Sequence, residues 1–288
     1  MHSLYRAIGF SKIKSRMQLE GIYREVMNTP TRKTTASIDL GVSLIQLDRE
    51  FGPGIGVTLV GEIDATQRIS IEHAFPYAVP ERLTYVHSLR LEKHIENDSY
   101  NGIIDDLTLS VMFYLQNIAD YVHLNWMNKA PLAETCMLSA LSTEGSILLP
   151  ISRDEENDRK IKKMHLKRQR LIEAARSGDD EAMDSLFILS LDMKNDMYNQ
   201  ALKDNILSVV DTTMMPYGID CEVYEIIGII ISHNTVKNNL TNEEIVHMTL
   251  LCNDYYIDLY INSMDLKGEP GIGRRFKGVV WLQGYVNF

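Results

Sequence analysis

Apolar and polar positions change their period several times along this chain. From Ser15 the spacing is helical: Met17, Leu19, Ile22, Tyr23 and Val26 share one side, and Pro30 lies just beyond the end. From Ile38 the period is two. Ile38, Leu40, Val42 and Leu44 alternate with Asp39, Gly41 and Ser43, and the apolar set then shifts to Ile45 and Leu47, which predicts a bulge. Gly52-Pro53-Gly54 marks a turn. Val57 and Leu59 belong to the next strand, and Ile69, Ile71, His73 and Phe75 form the apolar face of another. A further strand falls near Leu89 and Leu91. These spacings predict an antiparallel meander with one wet face. Residues 111–122 suit a strand or a helix, and residues 145–150 a short closing strand.

Beyond residue 150 the pattern turns helical, then extended again. Ser152-x-x-Glu155 has capping-box spacing, and Asp154, Glu155, Glu156 and Asp158 crowd the first turns, where the helix dipole favours acids. One helix over about 153–177, a cap at Gly178 and a second helix from about 180 follow. From about residue 204 the chain is β-rich. Residues 223–231 read as a buried strand, 234–242 as a polar hairpin loop, and 245–252, 255–262 and 276–286 as further strands. The expected fold class is α+β. Residues 1–150 form an antiparallel sheet domain with a helix, 151–203 a helical connector, and 204–288 a small β-barrel-like domain, OB-like in type.

Composition narrows the setting. The 288 residues are 45% hydrophobic and 24% charged with net charge −10, which excludes wholesale disorder. The charge divides as −4 over residues 1–150, zero over 151–203 and −6 over 204–288. Cys136, Cys221 and Cys252 are odd in number and far apart, so neither a disulfide framework nor a cysteine-rich zinc site is expected. No apolar run approaches the ~20 residues that span a bilayer, and the chain opens without a signal core. A soluble, cytoplasmic protein with reduced thiols and no membrane partner is expected.

Motifs for catalysis are weak. Gly52-Pro53-Gly54-Ile55-Gly56 and Gly271-Ile272-Gly273 lack the third glycine and the Lys-Ser/Thr of a phosphate loop, so they read as turns and no cofactor is expected. Glu244-x-x-His247 has ligand spacing for a helix, but on a strand residues three apart face opposite ways, so no metal is expected there. His73 lies on the apolar face between Ile71 and Phe75. The ordinary reading is a core histidine; the sharper one is a pocket acid–base with Glu62 or Asp64 beside it. Arg159, Lys160, Lys162, Lys163, His165, Lys167, Arg168 and Arg170 form a basic run that spreads around its helix, more a solvated surface than an anion-binding stripe.

The last two strands carry the candidate surface. Phe276, Gly278, Val280, Leu282, Gly284 and Val286 make a core face. If the opposite face of this strand aligns with that of 255–262, Tyr256, Tyr260, Trp281 and Tyr285 form an aromatic surface with Arg274, Arg275 and Lys277 at one end. The surrounding charge of −6 favours protein contact, including homo-oligomer packing, over nucleic acid. The leading expectation is therefore a non-enzymatic binding or scaffolding protein. The alternative is nucleic-acid binding through this face and the basic helix. The third is an enzyme with a pocket around His73.

Leu4-Tyr5-Arg6-Ala7-Ile8-Gly9-Phe10-Ser11, Phe113-Tyr114-Leu115-Gln116-Asn117, Gly145-Ser146-Ile147-Leu148-Leu149-Pro150, Gly268-Glu269-Pro270-Gly271-Ile272-Gly273-Arg274-Arg275-Phe276-Lys277-Gly278 and Trp281-Leu282-Gln283-Gly284 carry a resemblance. Together these stretches resemble an uncharacterised family of bacterial cytosolic proteins, a domain of unknown function, over nearly the full length. The resemblance implies a bacterial origin and brings no activity, ligand or functional residue.

Overall fold

The computed structural model describes residues 2–150 except 86–88, 95–98, 106–109 and 128–134, scattered residues between 163 and 189, and residues 211–288. Helix α1 (Arg16–Asn28) starts at a capping box. Ser15 Oγ accepts the Gln18 N–H, and Gln18 Oε1 accepts the Ser15 N–H. Pro30 disfavours helical backbone in the residue before it, which keeps the helix from running on. The helix buries Leu19, Ile22 and Val26 against the first sheet.

That sheet is a four-stranded antiparallel meander of β1 (Arg32–Asp39), β2 (Val42–Gly52), β3 (Ile55–Asp64) and β4 (Ile69–Ala78), in sequence order. Leu40 and Gly41 are not mid-strand as their alternation suggests. They form the tight turn between β1 and β2, where Gly41 takes φ of 81° and Leu40 is 95% exposed. Period two continues through a two-residue turn, so alternation alone cannot reveal the reversal.

The second sheet holds β5 (Leu83–Tyr85), β6 (Leu89–Lys93), β7 (Tyr100–Asp105), β8 (Ser110–Leu115), β9 (Thr135–Leu148), β10 (Thr213–Pro216), β11 (Val223–Lys237), β12 (Glu244–Cys252), β13 (Tyr255–Asn262), β14 (Leu266–Lys267) and β15 (Arg275–Asn287). Helix α2 (Ile118–Trp126) follows β8, so the ambiguous 111–122 stretch is a strand and then a helix. The stretch 234–242 is a strand as far as Lys237, laddered with β12, and its polar residues Asn234, Thr235 and Lys237 are exposed. Five strands close a barrel in the order β11, β12, β13, β9, β15 and back to β11. All pairs are antiparallel except β13 with β9. The fold is α+β, with a closed five-strand barrel beside an antiparallel sheet. Of the expected connector, residues 151–162 and 190–203 lie outside the described residues. Most of those described between 163 and 189 are helical, with Asp179 Oδ1 accepting the Glu181 and Ala182 N–H groups. The basic run lies largely outside the described residues.

Strand register explains how the two sheets join. One set of aligned side chains, Met248, Leu259, Ala140 and Leu282, is apolar and fully buried. The next set, on the opposite face, is polar: Thr249, Asp258, Ser139 and Gln283 stand side by side across β12, β13, β9 and β15. All four are buried because the end of β4 and the residues after it lie over them. Gln283 Nε2 donates to Pro76 O at 2.8 Å, and its Oε1 accepts the Ala78 N–H at 3.1 Å. Ser139 Oγ donates to Ala78 O at 2.7 Å, and Asp258 Oδ2 accepts the Glu81 N–H at 2.6 Å. Polar side chains from three strands thus satisfy the backbone of residues 76–81, and Thr249 of the fourth donates to Asp258 Oδ1. Buried peptide groups require such partners. Beside this row, Phe75 meets Tyr114 edge-on and Tyr114 meets Trp281 at a tilt, at 4.8 and 5.0 Å between centroids.

Candidate functional site

Two grooves follow the rim of β1. A groove of about 540 Å³ is lined by Thr34 and Thr35, by Asn117, Asp120, His123 and Leu124 around α2, and by Tyr285 to Phe288. A second, of about 460 Å³, is lined by Ser37 and Ile38 of β1, Tyr100, and Val122, Asn125 and Trp126 of α2. Consecutive strand residues point to opposite faces. A cavity touching both Thr34 and Thr35, or both Ser37 and Ile38, therefore sits on the strand's edge and not on a face. Among the described residues β2 is the strand neighbour of β1, so the other side of β1 is a sheet edge.

Charged groups gather at the first groove. Arg32 Nη2 lies 3.3 Å from Asp120 Oδ2, and Arg32 Nη1 donates to the Tyr285 hydroxyl at 3.4 Å. The Tyr285 hydroxyl also donates to Asp120 Oδ2 at 3.4 Å, and Asn117 Nδ2 donates to the same oxygen at 3.3 Å. Beneath them Asp48 accepts from Thr58 Oγ1 at 2.7 Å and from Gln46 Nε2 at 3.1 Å. Burial pushes the Asp48 carboxyl above its ordinary value; the Thr58 and Gln46 bonds and the Arg32 charge oppose this. Gln46 also anchors α2, because its Oε1 accepts the Ala119 N–H. The first groove has polar anchors at Asn117, Asp120 and His123 and an apolar contact at Leu124, while Trp126 lines the second.

The seven residues expected to share one surface are placed apart. β9 enters between β13 and β15 and pairs with both, so the two outer faces are not adjacent. Tyr260 is buried, stacked on His247 at 4.3 Å, with its hydroxyl donating to Val79 O. Tyr256 is half-buried under the Arg82 guanidinium, 5.1 Å from its ring centre. Trp281 is 4% exposed against Tyr114, and its indole N–H donates to Glu222. Arg275 is buried and donates to Leu149 O, Arg274 donates to Glu269 O, and Lys277 lies 3.5 Å from Glu225. Only Tyr285 reaches the groove. Nor do Glu62 and Asp64 flank His73. Val60 pairs with His73 and Ser70 with Glu62, while the Asp64 carboxylate is held by its own turn through Thr66 and Arg68. His73 is half-buried and stacks on Phe75 at 6.2 Å.

Sequence reasoning missed Arg32, Asp120 and His123. An exposed arginine and an uncertain helix give no signal until β1 and α2 meet. The glycine clusters are turns: Gly54 and Gly273 take φ of 73° and 81° in their loops.

The chain matches the family described as "Domain of unknown function, E. rectale Gene description (DUF3881)" over residues 5–284. It belongs to the DUF3881 family. The bacterial source in that description agrees with the origin implied by the resemblance. No curated protein and no solved structure matches this DUF3881 chain. Among the described residues no helix is long and apolar enough to cross a membrane.

Proposed function

We propose that the protein is a non-enzymatic binding or scaffolding protein that holds an extended segment of a partner polypeptide along the edge of β1, beside α2. One observation supports this reading: both grooves run along the edge of β1 and share α2, which packs beside that strand, as their second wall. An added strand would find backbone groups along the edge and side-chain contacts with Leu124 and Trp126. Asp120, Arg32 and Tyr285 would set its register through polar contacts.

The finer reading of the barrel is OB-like, supported by five closed strands with a single parallel pair. In such barrels the faces of the second and third strands bind oligonucleotides. Of the corresponding strands here, β12 and β13, the second turns Asp258 to the Glu81 N–H of the same chain, and Thr249 of the first donates to that carboxylate. That contact and the net charge of −6 over residues 204–288 support a protein ligand over a nucleic acid. A bacterial cytoplasm is the proposed setting. Cys136 and Cys252 are free, and burial raises both thiols to about 12, which keeps them protonated.

Selection from a displayed library of random peptides tests the proposal. Binders are expected to compete with one another and to slow amide exchange in residues 33–38. Leu124→Glu should weaken them by about tenfold or more, since it places a charge against the groove wall. Failure to select any binder, or binders indifferent to Leu124→Glu that protect amides elsewhere, would overturn it.

A further inference from the structure

The row of buried polar side chains on the barrel contains one group whose geometry asks for a positive charge. His247 and Asn234 are directly paired across β12 and β11, and His247 Nδ1 lies 2.9 Å from Asn234 Oδ1. With its Nδ1 hydrogen given to that oxygen, the ring turns Nε2 toward Asp258 Oδ1 at 3.2 Å. The imidazole is 5% exposed and the carboxylate 1%. A lone pair facing a carboxylate in so dry a place is repulsive, so a proton or a metal ion must lie between them.

The surroundings favour a metal ion. Asp258 Oδ1 already accepts the Thr249 hydroxyl at 2.8 Å, and Oδ2 accepts the Glu81 N–H at 2.6 Å, which fixes the carboxylate plane. The Tyr260 ring, 4.3 Å away and 12° from parallel, fixes the imidazole plane. Glu81 brings a third donor: ligand atoms of Glu81, His247 and Asp258 all lie within 4.8 Å of one another. Two ligands on one tetrahedral zinc stand roughly 3.3 Å apart, given bond lengths of about 2.0–2.1 Å. The observed 3.2 Å between Nε2 and Oδ1 matches that spacing. An imidazole whose other nitrogen donates to a carbonyl oxygen is the usual oriented state of a zinc-ligating histidine.

We propose that Glu81, His247 and Asp258 form a site for a borderline divalent cation of the zinc class, with water completing the coordination. Two ligands come from the barrel and the third from the segment that follows β4. The ion would pin residues 79–82 onto β12 and β13 and so tie the first sheet to the barrel. Glu81 is exposed and gives the ion its way in. The proposal does not depend on the peptide groove.

The test uses the full chain carrying Cys221→Ser, because Cys221 is an exposed free thiol and thiolates are zinc ligands that would compete for the ion. After chelator treatment, titration with zinc chloride should load one ion per chain. At a hundredfold excess over the dissociation constant, the melting temperature should rise by about 5 °C. Glu81→Ala removes an exposed side chain and keeps the backbone N–H, so the fold survives. It should weaken zinc by about a hundredfold and remove the thermal shift, while Asn234→Ala should weaken zinc by about tenfold. No zinc bound at high micromolar concentration would mean that a proton fills the gap, and would overturn the proposal. Equal zinc affinity in Glu81→Ala would overturn it as well.

Discussion

Replacing Gln283 by leucine will loosen the junction between the two sheets and cost about 3 kcal/mol. Leucine has nearly the same volume, so packing is held constant and the change isolates the amide. Gln283 is fully buried, and its two ends serve opposite needs of one segment. Its Nε2 satisfies Pro76 O, and its Oε1 satisfies the Ala78 N–H. Without it both backbone groups are stranded away from water, at about 1–3 kcal/mol each. The apolar replacement returns about 1–2 kcal/mol by burying its own side chain. Gln116 also donates to Gln283 Oε1, but keeps Ala78 O and Ser139 Oγ as partners, so its loss is small.

The same logic predicts a milder result one strand away. Ser139→Ala removes one donor from Ala78 O, which still receives the Gln116 amide, and should cost about 1 kcal/mol. Urea denaturation distinguishes the two. The midpoint should fall in both variants with the slope unchanged, and about three times further in Gln283→Leu. Equal effects, or a loss under about 1 kcal/mol in Gln283→Leu, would mean that the polar row does not hold the segment.

That row was legible in fragments. Helix α1 and most strands of the first sheet follow from local period, because each is decided by residues near in sequence. Asp258 stands between Ile257 and Leu259, and Gln283 between Leu282 and Gly284. Polar residues inside apolar strands signal a buried partner. What the chain does not reveal is who that partner is. Alternation assigns Trp281 and Tyr260 to outer faces, but only long-range pairing decides that β9 lies between them and that residues 76–81 cover the row. β9 itself arrives from before the connector and completes a barrel whose other strands follow it. Such non-local closure has no local pattern to announce it. The groove is hidden for the same reason: Arg32 and Asp120 are 88 residues apart and ordinary in their own neighbourhoods.

Phe113→Ala will cost about 3–5 kcal/mol, and it will also make a harmful substitution at Gly284 harmless. Phe113 is fully buried, and its ring lies between two glycines. A Cβ placed on Gly102 would stand 2.1 Å from the ring, and one on Gly284 would stand 2.3 Å from it. Gly102 is the direct cross-strand partner of Phe113 on β7, while Gly284 belongs to β15, which runs alongside β8. The glycines are there because the ring needs the space and a pleated strand otherwise fills it. At Gly284 the three nearest atoms to the added carbon all belong to that ring. Gly284→Ala alone must therefore displace a packed aromatic and should cost about 3 kcal/mol, the upper part of the overpacking range. In the Phe113→Ala background the obstacle is gone and the methyl group enters a cavity, so the same substitution should be neutral within about 0.5 kcal/mol. The double-mutant cycle should thus give a coupling of about 2–3 kcal/mol, with the double variant more stable than the sum of the single losses. Additive losses would place the strain at Gly284 in the backbone and not in the ring, and the slot formed by the two glycines would not be what seats Phe113.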